Sequence, residues 1–200
     1  MAHNYCTLFD VNYLVRGLAL YDSLRRNCDG LMFAVYCFDE ETYEILKELR
    51  LEGLIPVRLC DFETKELLSV KKERTRGEYC WTCTAHVIRD CLDRFHLDEV
   101  TYLDADLFFF NDPDPLIEEF NKSGASVLLT EHRYTPRYDK KESCGIYCVQ
   151  YMTFKADNIG RVALDWWCDR TLEWCFNRIE DGKFGDQKYL DDWKQRFTGV

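Results

Sequence analysis

The 200-residue sequence is short of several things, and each shortage excludes a class of protein. Four prolines and ten glycines, with no low-complexity run and no internal repeat, exclude a disordered, collagen-like or repeat-built chain. No uninterrupted apolar segment approaches the length that spans a bilayer, so a membrane-spanning chain is not expected. The first eight residues lack a basic start followed by an apolar run, so they do not read as a secretory signal. Basic residues are scarce as well. Lys and Arg number 26 against 36 Asp and Glu, a net charge of -10. With no Lys/Arg-dense face to neutralise a phosphate backbone, nucleic acid is not expected as a partner. A small anion remains compatible with this balance if a metal ion bridges it to the protein.

What is present is material for a core. Hydrophobic residues make up 46% and aromatics 15%, enough for one α/β domain over residues 1–200. Eleven cysteines cannot all pair with one another, and they sit inside apolar or helical segments. We therefore expect free thiols used as small core residues in a reduced, cytoplasmic protein. Apolar runs at 5–9, 31–38 and 55–59 read as strands, the second nearly continuous as in a strand buried on both faces. Helical spacing follows each, at 13–24, after Asp39-Glu40-Glu41, and at 84–97. A strand interrupted by acids is expected over 99–110, further strands over 126–130 and 147–154, and helices over 162–178 and 186–197. The alternation predicts an α/β fold with a mixed, mostly parallel central sheet and helices on both faces. In such sheets ligands bind beyond the carboxyl ends of the strands, so the reactive side chains to seek are those that follow strands.

The most informative stretch is VTYLDADLFFF, residues 100–110. On extended backbone Asp104 and Asp106, two residues apart, point to one side. Two ionised carboxylates held close repel each other and are costly to desolvate. One reading makes them capping or turn aspartates at a strand end. The other makes them ligands of Mg²⁺ or Mn²⁺, which prefer hard oxygen ligands and commonly complete their shells with substrate phosphates.

Tyr102-Leu103-Asp104-Ala105-Asp106 resembles the metal-binding signature of glycosyltransferases of the GT-A fold, especially the family-8-like group that uses nucleotide-diphospho-sugars. Thr7-Leu8-Phe9-Asp10 with Tyr13-Leu14 is similar to that family's first strand and following helix, and Gly185-Asp186-Gln187 to its late Asp-Gln motif. The resemblance implies a Rossmann-like fold and a metal-dependent transferase. It implies Asp104 and Asp106 on Mn²⁺ or Mg²⁺, and Thr7, Phe9, Asp10, Tyr13, Arg76, Asp104 and Ala105 around the donor, a UDP-sugar by expectation. Asp186 and Gln187 would lie near the transferred sugar and an acceptor that is a glycan, lipid or protein. If the reaction inverts configuration it needs a general base, for which Glu131 and Asp186 are the candidates. A retaining course, usual in the family-8-like group, leaves no dedicated base obvious.

Two departures accompany the resemblance. Cys148-Val149-Gln150-Tyr151 stands where the family has an Asn-x-Gly turn, and the family's third ligand, a histidine late in the domain, has no counterpart among His3, His86, His96 and His132. The latter suggests a chain that ends early relative to its relatives, and with it an alternative reading, a non-catalytic nucleotide-sugar-binding or interaction domain. A third reading rests on Cys80-Trp81-Thr82-Cys83, a C-x-x-C at an expected helix start, as a redox dithiol or, with Cys144 and Cys148, a zinc site. Arg74 reads as a solvated linker residue, and Arg76 as either a contact to the diphosphate or Asp104, or a linker residue. His132 reads as a loop histidine or a ligand contact, and the stripe Trp166, Trp167 and Trp174 as core.

Overall fold

The computed structural model describes residues 3–28 and 30–200; Met1 and Ala2, at the head of the N-terminal segment read above, lie outside them. The chain opens with β1 (His3–Phe9), a 3₁₀ turn (Val11–Tyr13) and α1 (Leu14–Asn27). β2 (Leu31–Cys37), α2 (Glu40–Leu49) and β3 (Leu54–Arg58) follow, then the short α3 (Leu59–Phe62) and α4 (Lys65–Lys71). The long α5 (Arg76–Arg94) leads into β4 (Glu99–Leu103), α6 (Asp114–Ser123) and β5 (Val127–Glu131). A 3₁₀ turn (Pro136–Tyr138), α7 (Lys141–Cys144), β6 (Tyr147–Lys155), α8 (Asn158–Glu173), a 3₁₀ turn (Gln187–Leu190) and α9 (Trp193–Arg196) complete it.

The strands form one sheet in the order β3-β2-β1-β4-β6-β5. β1 runs parallel to β2 and β4, and β2 to β3, while β6 is antiparallel to both β4 and β5. The period-2 pattern divides the core between the two faces. Cys6 and Leu8 of β1, with Ala34 and Tyr36 of β2, pack on the face that also holds Ile88 of α5 and Trp167 of α8. Tyr5 and Phe9, with Phe33 and Val35, pack on the other face with Leu20 and Leu24 of α1 and Leu46 of α2. Burial on both faces is why 31–38 reads as a continuous apolar run.

From β1 the chain builds β2 and β3 to one side, then returns through α5 to place β4 on the other side of β1. The carboxyl ends of β1 and β4 therefore diverge into a crevice at a topological switch point.

Several expectations need correction. β4 ends at Leu103, so Asp104 to Asp106 form a turn, with Leu107 N bonded to the Asp104 carbonyl at 3.2 Å, and are not flanked by buried strand on both sides. Beyond that turn Phe108 and Phe110 are exposed, while Leu107 and Phe109 cover the α1 face of the sheet. α5 begins at Arg76, two turns ahead of the expected start. Thr75 and Glu78 form a reciprocal capping box there. α8 runs from Asn158 and stops at Glu173, and the expected last helix is a 3₁₀ turn followed by one short α-helical turn.

Candidate functional site

A cleft of about 440 Å³ opens at the β1/β4 switch point. One wall comes from the end of β1 and its 3₁₀ turn, with Phe9, Asp10 and Tyr13, and the floor from the turn after β4, with Asp104, Ala105 and Asp106. Cys148 and Val149 of β6 and the Asp186-Gln187 segment close the far side, and one face of α5 (Arg76, Gly77, Cys80, Trp81 and Thr84) forms the roof.

Local structure fixes each part. Asp10 caps the 3₁₀ turn, accepting from Asn12 N at 2.9 Å, and Asp39 caps α2, accepting from Thr42 N at 2.9 Å. Arg76 joins the two caps, its Nε 2.7 Å from Asp10 Oδ2 and its Nη2 2.9 Å from Asp39 Oδ2. The Phe9 ring packs against Gly17 of α1, where a Cβ would come within 2.4 Å of it, so glycine at 17 lets the wall close. The Asp104 main chain is tied to β6 through its N–H, 2.9 Å from the Gln150 carbonyl. The Asp186 carbonyl accepts from Trp167 Nε1 at 2.9 Å, and the Gln187 amide donates to the Cys144 carbonyl at 2.8 Å.

The electrostatics of the floor are unbalanced. None of Asp104, Asp106 and Asp186 forms an ion pair with a described cationic side chain, and Arg76, the cation of the cleft, is already shared between Asp10 and Asp39. Burial, and then the neighbouring Asp106 carboxylate, push the Asp104 carboxyl up to about 6. Burial, and then Asp104, push that of Asp186 up to about 7. Among the described residues no group of three or more His, Cys, Asp and Glu side chains is arranged to hold a metal ion. Adjacent carboxylates without a cation fit a Mg²⁺ or Mn²⁺ that takes its remaining ligands from substrate phosphates and water rather than from an all-protein cage.

The structure thus brings together Phe9, Asp10, Tyr13, Arg76, Asp104, Ala105, Asp106, Asp186 and Gln187. It does not bring Thr7 or Glu131 to them. Thr7 is fully buried in β1, two positions short of the strand end, and Glu131 is exposed at the end of β5, an edge strand separated from β4 by β6. Arg76, in the cleft lining, is paired with two carboxylates, Asp10 and Asp39. Arg74 is not a solvated linker residue: it is buried, with its guanidinium 3.8 Å above the Phe176 ring. Nor does the C-x-x-C open a helix, since both thiols sit in the interior of α5. Burial and then Asp10 raise Cys80 to about 12, and burial raises Cys83 well above the usual thiol range. His132 stacks on Tyr134 at 4.5 Å outside the cleft lining. Trp167 and Trp174 are buried and Trp166 packs against the core. Trp81, by contrast, lines the cleft and was not singled out as a site residue; the sequence signal for it was the Thr75–Glu78 capping box, which starts α5 early enough to turn residue 81 inward.

No family model matches the chain. It is 35% identical over 208 residues to "Uncharacterized protein YfnF" of Bacillus subtilis (strain 168), covering all of this chain and 68% of that protein. It is 29% identical over 203 residues to "Uncharacterized protein YfnD" of the same organism, covering 98% of this chain and 64% of that one. The chain thus spans about two thirds of the length of these curated relatives. Among solved structures, mouse xyloside xylosyltransferase 1 in its apo form superposes with a TM-score of 0.63 at 14% identity, covering 98% of this chain and 82% of that chain. The apo glycosyltransferase GlyE of Streptococcus pneumoniae TIGR4 gives 0.59 at 15% identity, covering 100% of this chain and 45% of that chain. These likenesses establish a GT-A-like glycosyltransferase fold. Among the described residues no helix is long and apolar enough to cross a membrane.

Proposed function

The chain belongs to the family of the Bacillus subtilis protein YfnF, and from that premise we propose that it is a metal-dependent glycosyltransferase of the family-8-like kind, moving a sugar from a UDP-sugar to a glycan, lipid or protein acceptor. The observation that carries the reading is the set of uncompensated carboxylates, Asp104 and Asp106 on the floor and Asp186 on the far side, of a cleft at the switch point of a glycosyltransferase fold.

In this reading Asp104 and Asp106 hold Mn²⁺ or Mg²⁺, which when bound supplies positive charge for the diphosphate leaving group. Asp10 and Tyr13, on the wall at the end of β1, face the nucleoside. Tyr13 is 43% exposed and carries the Arg16 guanidinium 4.6 Å over its ring, so the ring is partly open to a base and one side is already covered. Asp186 and Gln187 stand at the opposite end, where the sugar would sit. An anomeric carbon that becomes oxocarbenium-like is stabilised by a fixed carboxylate or amide oxygen. The Trp167 and Cys144 hydrogen bonds hold that segment in place. Glu131 has no part in this arrangement, which leaves Asp186 as the carboxylate in the cleft for an inverting course.

Donor turnover tests the proposal. Purified chain with MnCl₂ and a UDP-sugar should release UDP, by hydrolysis or by transfer, and Asp106→Ala should not. Intact donor after prolonged incubation of the wild type, across UDP-glucose, UDP-galactose, UDP-N-acetylglucosamine and UDP-xylose, would count against it.

A further inference from the structure

Resting on the glycosyltransferase reading of this cleft, we infer that Trp81 is a stacking platform for a pyranose ring and that the sugar end of the site is specified by its indole face.

Four observations converge on this residue. The face of α5 that roofs the cleft is made by residues 76, 77, 80, 81 and 84, the spacing of one helical stripe. Trp81 supplies its largest side chain, and at half-burial the ring is neither sealed in the core nor loose on the surface. The ring is backed by the segment just before Asp186. Phe184 meets it at a centroid distance of 6.3 Å, tilted by 47°, and Gly185 lies against the six-membered ring, where a Cβ would stand 3.4 Å from Cε3. Gly185 has φ +52°, so the left-handed backbone there calls for glycine. Finally, the Trp81 Nε1–H has no hydrogen-bond partner among the described residues and is not sealed from water.

The other four tryptophans are used differently. Trp167 and Trp193 are fully buried, Trp174 donates to Glu180 Oε1 at 3.2 Å, and Trp166 is covered by Arg196 at 4.5 Å. Trp81 alone joins a backed ring, an open donor and a position in the cleft. An indole face is electron-rich and takes the polarised C–H groups of a pyranose's apolar side, while its N–H can donate to a ring hydroxyl. Asp186 and Gln187, in the same cleft lining, supply the acceptors and the amide that a sugar's remaining hydroxyls need. The ring could come from the donor's sugar or from a glycan acceptor, and the chemistry is the same for both.

The test compares wild type, Trp81→Ala and Trp81→Phe of the full chain, each first checked for an unchanged circular dichroism spectrum. Calorimetry with UDP and MnCl₂ reads nucleotide binding, which should stay within about twofold of wild type in both variants because the indole contributes nothing to the nucleotide. The same titration with UDP-glucose, UDP-galactose, UDP-N-acetylglucosamine and UDP-xylose reads the donor source, and a glycan array probed with and without UDP reads the acceptor source. In whichever arm wild type gains affinity from a sugar, Trp81→Ala should lose about tenfold or more, and Trp81→Phe should recover most of it by keeping an aromatic face. Equal sugar affinity in wild type and Trp81→Ala overturns the inference, as does a loss that is the same for UDP alone. Wild type that binds UDP but gains nothing from any sugar in either arm overturns it too. Wild type that binds no UDP overturns the proposed function instead, and Trp81 is then judged on array capture without nucleotide, where loss in Trp81→Ala supports the platform and no capture or no loss ends it.

Discussion

The indole Nε1 of Trp167 donates to the main-chain carbonyl of Asp186 across 2.9 Å inside the core. Trp167 is fully buried on α8, and Asp186 lies on a segment that follows a long irregular connection, so one hydrogen bond ties the position of a cleft carboxylate to the packing of a distant helix.

Trp167→Phe keeps an aromatic ring but leaves the Asp186 carbonyl without its donor. We expect a stability loss of about 1–3 kcal/mol, the range for an unmet buried polar group. Donor turnover should fall by a larger factor than UDP affinity, because the displaced segment faces the sugar. Chemical denaturation alongside calorimetry with UDP separates the two effects.

Arg76→Ala should act on nucleotide affinity rather than on folding. Both ion pairs are partly solvent-exposed, so the stability change should lie within about 1 kcal/mol. The cleft, however, loses its cation and gains two unpaired carboxylates, so UDP should bind more weakly, and added NaCl should narrow the gap between variant and wild type. Calorimetry at two salt concentrations reads both.

The sheet was legible because its strands are apolar runs of the right length, and the crevice because carboxylates follow β4. Asp104 and Asp106 stand out as carboxylates interrupting an apolar run, whereas Asp186 follows α8 and an irregular connection and is pointed to only by the resemblance of Gly185-Asp186-Gln187 to the Asp-Gln motif. What escaped depended on contacts between distant segments. Arg74 sits in a charged stretch, KKERTRG, and nothing nearby in sequence announces that Phe176 will cover it. Glu131 follows a strand, as the rule asks, but sheet order sets that strand at the edge, beyond β6. The apolar run 107–110 reads as continued strand, whereas the chain leaves the sheet and crosses α1. Asn27 Nδ2 bonds the Phe109 carbonyl at 3.1 Å, and Ser23 Oγ accepts from its N–H at 3.0 Å. Trp81 was a matter of helix phase. The Thr75–Glu78 cap starts α5 within the stretch that reads as a charged connection, 71–77, and this sets the phase that turns residue 81 into the cleft.

His86 gives a pH dependence of stability away from the cleft. It is buried on α5 with Arg89 Nη2 3.1 Å from its Nδ1, and burial, then Arg89, hold it down to about 4. A histidine whose folded value is depressed contributes stability that is complete above its unfolded value near 6.5 and is lost as pH falls from there through about 4. His86→Gln should flatten this part of the profile, by up to roughly 3 kcal/mol between pH 7 and pH 4. Parallel melts across that range would show it; identical slopes would contradict it.

The thiols should be inert where a redox dithiol would be reactive. Cys60 is exposed, whereas Cys80 and Cys83 are held protonated by burial. Under native conditions at neutral pH, a chromogenic disulfide reagent should label Cys60 first and leave Cys83 unlabelled until denaturant is added. Mass spectrometry of the peptides identifies the sites.

In the proposed function, the carboxylates on the cleft floor recruit a cation for a nucleoside diphosphate. Isothermal titration of UDP into the chain, with MnCl₂ and then with EDTA, tests it most directly. Binding with manganese should be abolished by the chelator and weakened by about tenfold or more in Asp106→Ala, checked for an unchanged circular dichroism spectrum. Equal binding in EDTA and manganese, or no binding of UDP under either condition, would contradict it.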